Sequence, residues 1–432
     1  MKGDTMKRSK IMLIVAAAAA AALGLGGCTG GAASSGSSSR AEQIRYLINQ
    51  PGTPADLAAI NADLAKFTAE SGITVKLDTL TTDTMRTVLQ TQLRSGNGPD
   101  VFSYSPGPGF SGALAKAGLL KDLTSDYASR GWKMYDFAKN AVTEDGKIIG
   151  IADQVDLVGV FYNKDLFKKL GLSEPQNLSD LSNAADVIAK SGVIPFAVSD
   201  QEGWQGGHLL SMALGSRVGS KGIADLLDGT TPWSSPDVVA ALNVWDQFNK
   251  ASYLTPSPAA VTYDNANALF YSGKAAMDAT GTWLISTIDK SAKFNVGFIP
   301  FPSDKGTGVF STGIGQGLFV SAKTTKLPAV LKFLDYMQTP AHGLWQADKV
   351  SLIPAFAVDT SALKASSLFS QVVKTTSNIA TAGGDFGVNI DVLTTDVFNK
   401  AMGDGIQGIL TGQLTPNQVA QNMEAAYKKS AK

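Results

Sequence analysis

Residues 161–175 read FYNKDLFKKLGLSEP: an apolar run stops at Asn-Lys-Asp, turns helical, and halts at a glycine followed shortly by Glu-Pro. Leu157 to Tyr162 reads as a strand, and Asn163 or Asp165 offers a side-chain oxygen to the free amides that open the next helix. Leu166, Phe167 and Leu170 form that helix's buried face. Gly171 can take the left-handed conformation that ends a helix, and Pro175 cannot continue one. A strand feeding straight into a helix is the joint of an α/β sheet, which brings the chain back to lay another strand. Ser179 to Lys190 is that return's second helix, and Val193 to Val198 is the strand it delivers.

The same grammar holds upstream. Ile44 to Ile48 is a strand, broken by Asn49-Gln50-Pro51-Gly52 before Thr53 caps a helix whose first residue is Pro54. Ile73 to Leu80 follows as a strand, a helix starts near Asp83, Ser95-Gly96-Asn97-Gly98-Pro99 ends it, and Asp100 to Tyr104 is a third strand. Strand-helix-strand-helix-strand at this spacing argues a parallel sheet with helices packed on it. Later segments add helices at 238–248, 266–271 and 329–337, strands at 275–279, 294–299 and 313–320, and a mainly helical tail over 391–410 and 417–429.

The chain has 432 residues, which at roughly 100–200 residues per domain points to two. Hydrophobic residues at 44% and charged residues at 17% describe a globular chain with a sizeable core. Lys7, Arg8 and Lys10 precede the apolar run 11–25, too short for the roughly 20 residues of a spanning helix, so residues 1–27 read as a signal peptide. The run closes in Leu25-Gly26-Gly27-Cys28, similar to the bacterial lipobox. Cys28 is the only cysteine, which excludes an internal disulfide and any cysteine-based zinc cluster and marks it for lipidation. Residues 28–40 then form the lipidated cysteine and a Ser/Gly-rich tether. The first 27 residues hold four basic and one acidic residue of a chain whose formal charge is zero, leaving −3 on the rest. Nothing in that balance attracts nucleic acid.

Catalytic signatures are sparse. The two histidines, His208 and His342, lack ligand-spaced neighbours, which argues against a metal site, and no cofactor is expected. Gly403-Asp404-Gly405-Ile406-Gln407-Gly408 matches a dinucleotide fingerprint in letters alone, since no strand precedes it. Ser361-Ala362-Leu363-Lys364 lacks the Lys-Thr-Gly that would accompany a penicillin-recognising serine. A pair of carboxylates for glycoside hydrolysis stays open, because its members need not be close in the chain.

A set of ordered motifs carries a family likeness: ESGITV (70–75), GPDVF (98–102), FYNKDLF (161–167), SGKAAM (272–277), Gly281-Thr282-Trp283, and ILTGQLTP (409–416). In that order they resemble the extracellular sugar-binding proteins of ABC transporters, the maltodextrin-type group above all. The resemblance implies an α/β, two-lobe, periplasmic-binding-protein-like fold, each lobe a mainly parallel sheet flanked by helices, joined by a multi-strand hinge. The implied lobes are 41–153 plus 303–349 and 154–302 plus 350–432, with crossings near Asp153 to Asp156, between Phe301 and Phe310, and near Val350 to Pro354. The implied function is that of a monomeric lipoprotein on the outer face of the bacterial cell membrane. It captures a carbohydrate by hinge closure and delivers it to the permease subunits, without covalent chemistry. A membrane-anchored glycoside hydrolase using Asp153 and Asp156, or a sensor or adhesin subunit, are the alternatives.

Open α/β sheets bind ligands beyond the carboxyl ends of their strands, and sugars ask for paired hydrogen bonds and aromatic planes. These demands select Asn49 and Gln50 after the first strand, Thr82 after the second, and Tyr104 and Ser105 after the third. The family likeness implies an aromatic contact at Tyr104, an acidic contact at Asp156, a stacking ring at Trp283, and close backbone approach at Gly281; Asp153, in the same crossing segment as Asp156, joins the candidate ligand-binding residues. Trp204, in the loop Gln-Glu-Gly-Trp-Gln-Gly-Gly, and Phe386, in Gly-Gly-Asp-Phe-Gly, complete the set. Trp245 shares a helical face with Leu242 and Phe248 and belongs to the core.

Overall fold

The joint at Asn163 forms as its residues demand: the Leu166 amide donates to Asn163 Oδ1 at 2.9 Å, and Gly171 closes the turn at φ 69°. The computed structural model describes residues 42–382 and 384–430. The expected signal peptide, Cys28 and the linker lie outside them. One ten-stranded sheet organises the described chain. Its strands in chain order are β1 (Gln43–Asn49), β2 (Thr74–Leu80), β3 (Val101–Tyr104), β4 (Gly150–Asn163), β5 (Ile194–Ala197), β6 (Ala275–Gly281), β7 (Val296–Ile299), β8 (Ser311–Val320), β9 (Ile353–Pro354) and β10 (Gly387–Val388). The main path runs β2-β1-β3-β8-β4-β6-β5, with β7 and β9 on β4 and β10 on β8.

The outer strands pair in parallel, β1 with β2 and β3, and β5 with β6. The central ones do not. β8 is antiparallel to both β3 and β4, and β4 is antiparallel to β6 and β7. The expected mainly parallel lobes are therefore a mixed sheet, because a strand leaving one half and a strand returning to it must run in opposite directions.

β4 is the spine. All 14 of its residues are buried, and it changes partners near Val158. Residues 150–158 pair with β8, with β9 alongside at Gln154 and Val155, whereas residues 158–163 pair with β6 and β7. The chain returns through residues 301–310 into β8, which carries a bulge around Gly315. A Cβ at Gly315 would lie 1.6 Å from Asp156 Oδ2, so the glycine-laced GIGQG lets the bulge pass over that carboxylate.

Two α/β lobes hang on this spine, each with its own core. Tyr46, Phe67 and Phe333 pack between β1 and the helices Pro54–Ser71 and Leu327–Met337. Phe196, Trp245, Phe398 and Met423 fill the other, with Trp245 fully buried and its N–H donating to Leu209 O at 2.8 Å. Thr53 caps Pro54–Ser71 by accepting from the Asp56 amide, and Gly72 ends it at φ 73°. Thr81 caps the helix Thr82–Ser95.

Among the described residues seven helices fall outside the sequence expectations, the three longest being Gln205–Leu227, Pro340–Val350 and Ser367–Thr381. The first is glycine-rich and buried on nearly every face of its first three turns, so neither propensity nor amphipathic periodicity announces it. The 403–408 glycines lie inside the unbroken helix Asp396–Leu410. They serve packing, since a Cβ at Gly405 would meet Val419 at 2.4 Å and one at Gly408 would meet Leu414 at 2.5 Å. Among the described residues no helix is long and apolar enough to cross a membrane.

Candidate ligand-binding cleft

A cleft of about 830 Å³ opens where the strand ends of both lobes meet the crossing strands. That volume suits a ligand of a few sugar rings or a comparable molecule. Its walls differ in chemistry.

One wall is aromatic. Asp200 accepts the Gly206 amide at 2.8 Å and starts the helix Gln205–Leu227, with Trp204 at its N-terminus. A Cβ at Gly206 would reach Ile406 at 2.8 Å, so the glycines seat this helix end against Asp396–Leu410. Trp204 and His208 are one turn apart and share a face, with ring centroids 5.2 Å apart. Trp204 also packs on Tyr263 at 4.7 Å, and His208 on Trp283 at 5.4 Å. Trp283 Nε1 donates to the Tyr263 hydroxyl at 2.6 Å, and that hydroxyl also meets Thr280 Oγ1 at 2.7 Å. Both indoles and the phenol thereby hold fixed planes. Gly281 belongs to this wall indirectly: a Cβ there would lie 2.0 Å from the Trp283 ring, so the glycine lets the indole fold back over its own backbone.

The facing wall is polar. Asn49 and Gln50 leave β1, Thr82 begins a helix, and Ser103 and Ser105 flank the end of β3; all five line the cleft. Arg86 lies with its guanidinium carbon 4.5 Å from the Phe110 ring.

The floor comes from β4 and from the helix Pro340–Val350. Asp153 Oδ1 accepts from Gln346 Nε2 at 2.9 Å, and Asp156 accepts from Gln154 Nε2 at 3.1 Å and Thr282 Oγ1 at 3.3 Å. Burial pushes Asp156 up to about 6, the two hydrogen bonds opposing it. Asp153 is also raised by burial, with His342 and Gln346 pulling the other way. Three positions apart on one strand, the two carboxylates sit on opposite faces, each with its own partner. That arrangement disfavours their acting together as an acid and nucleophile. His342 Nδ1 stands 3.0 Å from Asp63 Oδ2, and Tyr336 donates to the other Asp63 oxygen at 2.6 Å. Burial holds His208 below its ordinary value, Asp391 opposing.

Several polar atoms at the cleft have no protein partner: His208 Nδ1, Asn267 Oδ1, Gln346 Oε1, Asn389 Oδ1 and Asp391 Oδ1. Each such buried group costs about 1–3 kcal/mol relative to a satisfied one. They are groups that an incoming polar molecule would satisfy.

Of the residues expected from sequence, Asn49, Gln50, Thr82, Ser105, Asp153, Asp156, Trp204 and Trp283 line the cleft. Tyr104 does not. It shares a face of β3 with fully buried Phe102, ring centroids 6.4 Å apart, while the alternate residues Ser103 and Ser105 face the opening; strand alternation places it. Phe386 also stands outside the lining, packed on Phe137 at 5.7 Å; Asn389 and Asp391, just beyond it, reach the cleft. Sequence reasoning missed these two along with His208, Tyr263, Trp345 and Gln346. A turn of helix linking Trp204 to His208 was the one signal available, and it required recognising the helix first.

Residues 51–343 match the family described as bacterial extracellular solute-binding protein. Among curated relatives, the multiple sugar-binding protein of Streptococcus mutans is 27% identical over 268 residues, 59% of this chain and 61% of that protein. The sn-glycerol-3-phosphate-binding periplasmic protein of Escherichia coli is 28% identical over 207 residues, 45% of this chain and 46% of that protein. The chain thus aligns with about three fifths or less of the length of either. Among solved structures, a chitin oligosaccharide binding protein superposes with a TM-score of 0.78 at 24% identity, covering 90% of this chain and 99% of that one. A solute-binding protein in complex with raffinose gives a TM-score of 0.72 at 22% identity over 90% of this chain and 100% of that one.

Proposed function

The chain belongs to the bacterial extracellular solute-binding protein family, and on that premise we propose that it captures a carbohydrate of a few rings in the interlobe cleft and hands it to the permease of an ABC importer. The observation that carries this reading is the pairing of a rigid aromatic wall with unpartnered buried polar atoms in one cleft. Sugar rings present C–H faces that pack on aromatic planes and hydroxyls that donate and accept at once. The relatives whose names mention sugars support the same class of ligand.

Capture proceeds by closure. A ligand resting on the aromatic wall reaches the polar wall only when β4 and β8 flex, so its contacts are richer in the closed form and it shifts the open-closed balance. Only the closed form presents the surface the permease reads. The anchor is a lipid on Cys28, the tether of residues 29–39 leaves the monomer free to dock, and no covalent chemistry is performed. Asp153 and Asp156 act as hydrogen-bond acceptors and floor of the site. A melting panel of mono- and oligosaccharides tests the reading. A true ligand at about 100 times its dissociation constant adds roughly 2.7 kcal/mol of stability, and a panel without any shift would refute it.

A further inference from the structure

Two contacts between the lobes border the cleft: Asp56 and Ser286 line it at one, Ser105 and Val392 at the other. At the first, the helix Pro54–Ser71, packed in the core of Tyr46 and Phe333, meets the helix Ile285–Ser291, which follows β6 through Trp283. Lys290 Nζ donates to Thr53 Oγ1 at 3.2 Å and to Asp56 Oδ1 at 3.3 Å, and Ser286 Oγ donates to the same Asp56 oxygen at 3.5 Å. The other Asp56 oxygen accepts from the Thr53 hydroxyl at 2.7 Å. The cap of one lobe's helix and an ion pair to the other lobe thus share one carboxylate.

At the second contact the loop Ser105-Pro106-Gly107-Pro108-Gly109, which leaves β3, lies against residues 392–396. A Cβ at Gly107 would stand 1.6 Å from Val392 O, and one at Gly109 would stand 2.9 Å from Asp396 Oδ1 and 3.3 Å from Thr394 O. The nearest atoms that either Cβ would meet all belong to the other lobe. Gly107 sits at φ 103°, which its own turn requires. Gly109 is outside the left-handed region, so the loop itself does not call for glycine there; the approach of residues 394–396 does. Both surfaces are stiff. Two prolines fix the loop, and Thr395 caps the helix Asp396–Leu410, whose Phe398, Met402 and Ile406 are buried in the Trp245 core.

Resting on the capture-by-closure reading, we infer that these contacts are a clasp that sets the balance between the open and closed forms. Gly107, Gly109 and Lys290 are its positioning residues, and none of them lines the cleft. A ligand gains both walls only as far as the lobes approach, and the approach at Gly107 leaves no room for a methyl group. The two halves of the clasp differ in kind. The Lys290 side chain is 47% exposed, so its pair with Asp56 contributes little and is screened by salt. The glycine contact is steric, indifferent to salt, and sets the limit of closing.

Carbodiimide, which joins a lysine amine to a carboxylate with no spacer, tests the clasp before any ligand is known. In wild-type protein, peptide mass mapping should find Lys290 linked to Asp56, and Asp56→Asn should remove that link. Gly107→Ala and Gly109→Val are each expected to lower the yield at least about threefold by holding the lobes apart. Folding is checked by the unliganded melt, and Gly109→Val serves where Gly107→Ala strains its own turn. Maltotriose, raffinose or triacetylchitotriose, whichever binds most tightly by calorimetry, should raise the wild-type yield. The same sugar should bind at least about tenfold more weakly to Gly107→Ala, and about two- to fivefold more weakly to Lys290→Ala in about 20 mM salt. A link absent from wild-type protein, or formed equally in wild type and both glycine variants, would overturn the clasp and leave the carbohydrate reading intact. If the link depends on Gly107 and Gly109 but no sugar of the wider panel binds, the clasp stands and the carbohydrate reading falls.

Discussion

The two walls of the cleft are built by opposite means. On the aromatic wall, four rings brace one another: Trp204, His208, Tyr263 and Trp283 are linked in sequence by contacts of 4.7 to 5.4 Å and by the indole-to-phenol hydrogen bond. On the polar wall, Asn49, Gln50, Thr82 and Ser105 sit at strand and helix ends, and among the described residues no side-chain hydrogen bond ties one to another. A wall that arrives preorganised provides affinity, because little side-chain entropy is lost when a ligand lands on it. A wall of separate termini provides selectivity, each group asking for its own hydroxyl.

Breaking the aromatic wall therefore has the largest expected effect. Trp283→Ala removes a stacking plane and frees the Tyr263 hydroxyl, and should cost about 3 kcal/mol of binding, more than 100-fold in affinity by calorimetry. The unliganded protein should melt somewhat lower too, since this indole packs against the core around Phe196 and Trp245 and against the cluster around Leu284 and Ile285.

Next is the floor. Asp156 has an ordinary value of 3.8 and is raised to about 6 by burial, so the folded state holds its proton more tightly than the unfolded chain. Stability from this group is fully present below about pH 4 and is lost as pH rises through about 6, a loss of order 2–3 kcal/mol above that. Asp156→Asn is thus expected to raise the unliganded melting point at pH 7.5 and to leave it unchanged at pH 4. Equal shifts at both pH values would mean that burial does not penalise this carboxylate.

Gly281→Ala sharpens the comparison by displacing the Trp283 ring without deleting it, and should weaken binding by about 1–2 kcal/mol, as overpacking does. Smallest is Gln50→Ala on the polar wall. It should cost about 1 kcal/mol for a ligand bearing the matching hydroxyl and nothing for the analogue lacking it.

How much of this was legible in the sequence depends on range. The local devices were: the Asn163 and Thr53 caps, the Gly171 stop, and the strand-helix alternation are read from neighbours in the chain. The spine was seen only in its apolar part. Leu157 to Tyr162 reads as a strand, whereas Gly150 to Asp156 hides because Asp153, Gln154 and Asp156 break the apolar run. Those residues interrupt the pattern because they form the floor of the cleft, so the function itself obscures the strand. Trp204 stood out as a ring without a core periodicity, and Trp283 through the Gly-Thr-Trp of the family likeness. Tyr263, Trp345 and Asp391 did not, because only tertiary folding brings residues so far apart in the chain to one opening. Tyr104 shows the converse: a position after a strand was correct, and the alternation of the strand decided which neighbour, Ser103 or Ser105, faces outward.

Three of the chain's six tryptophans, Trp204, Trp283 and Trp345, line the cleft, so tryptophan emission reports directly on whether a sugar sits against that wall. Titrating the protein with a carbohydrate shown by calorimetry to bind should give a saturable blue shift with the same dissociation constant, as closure removes water from the indoles. Binding heat with no change in emission would place the ligand elsewhere and contradict the account.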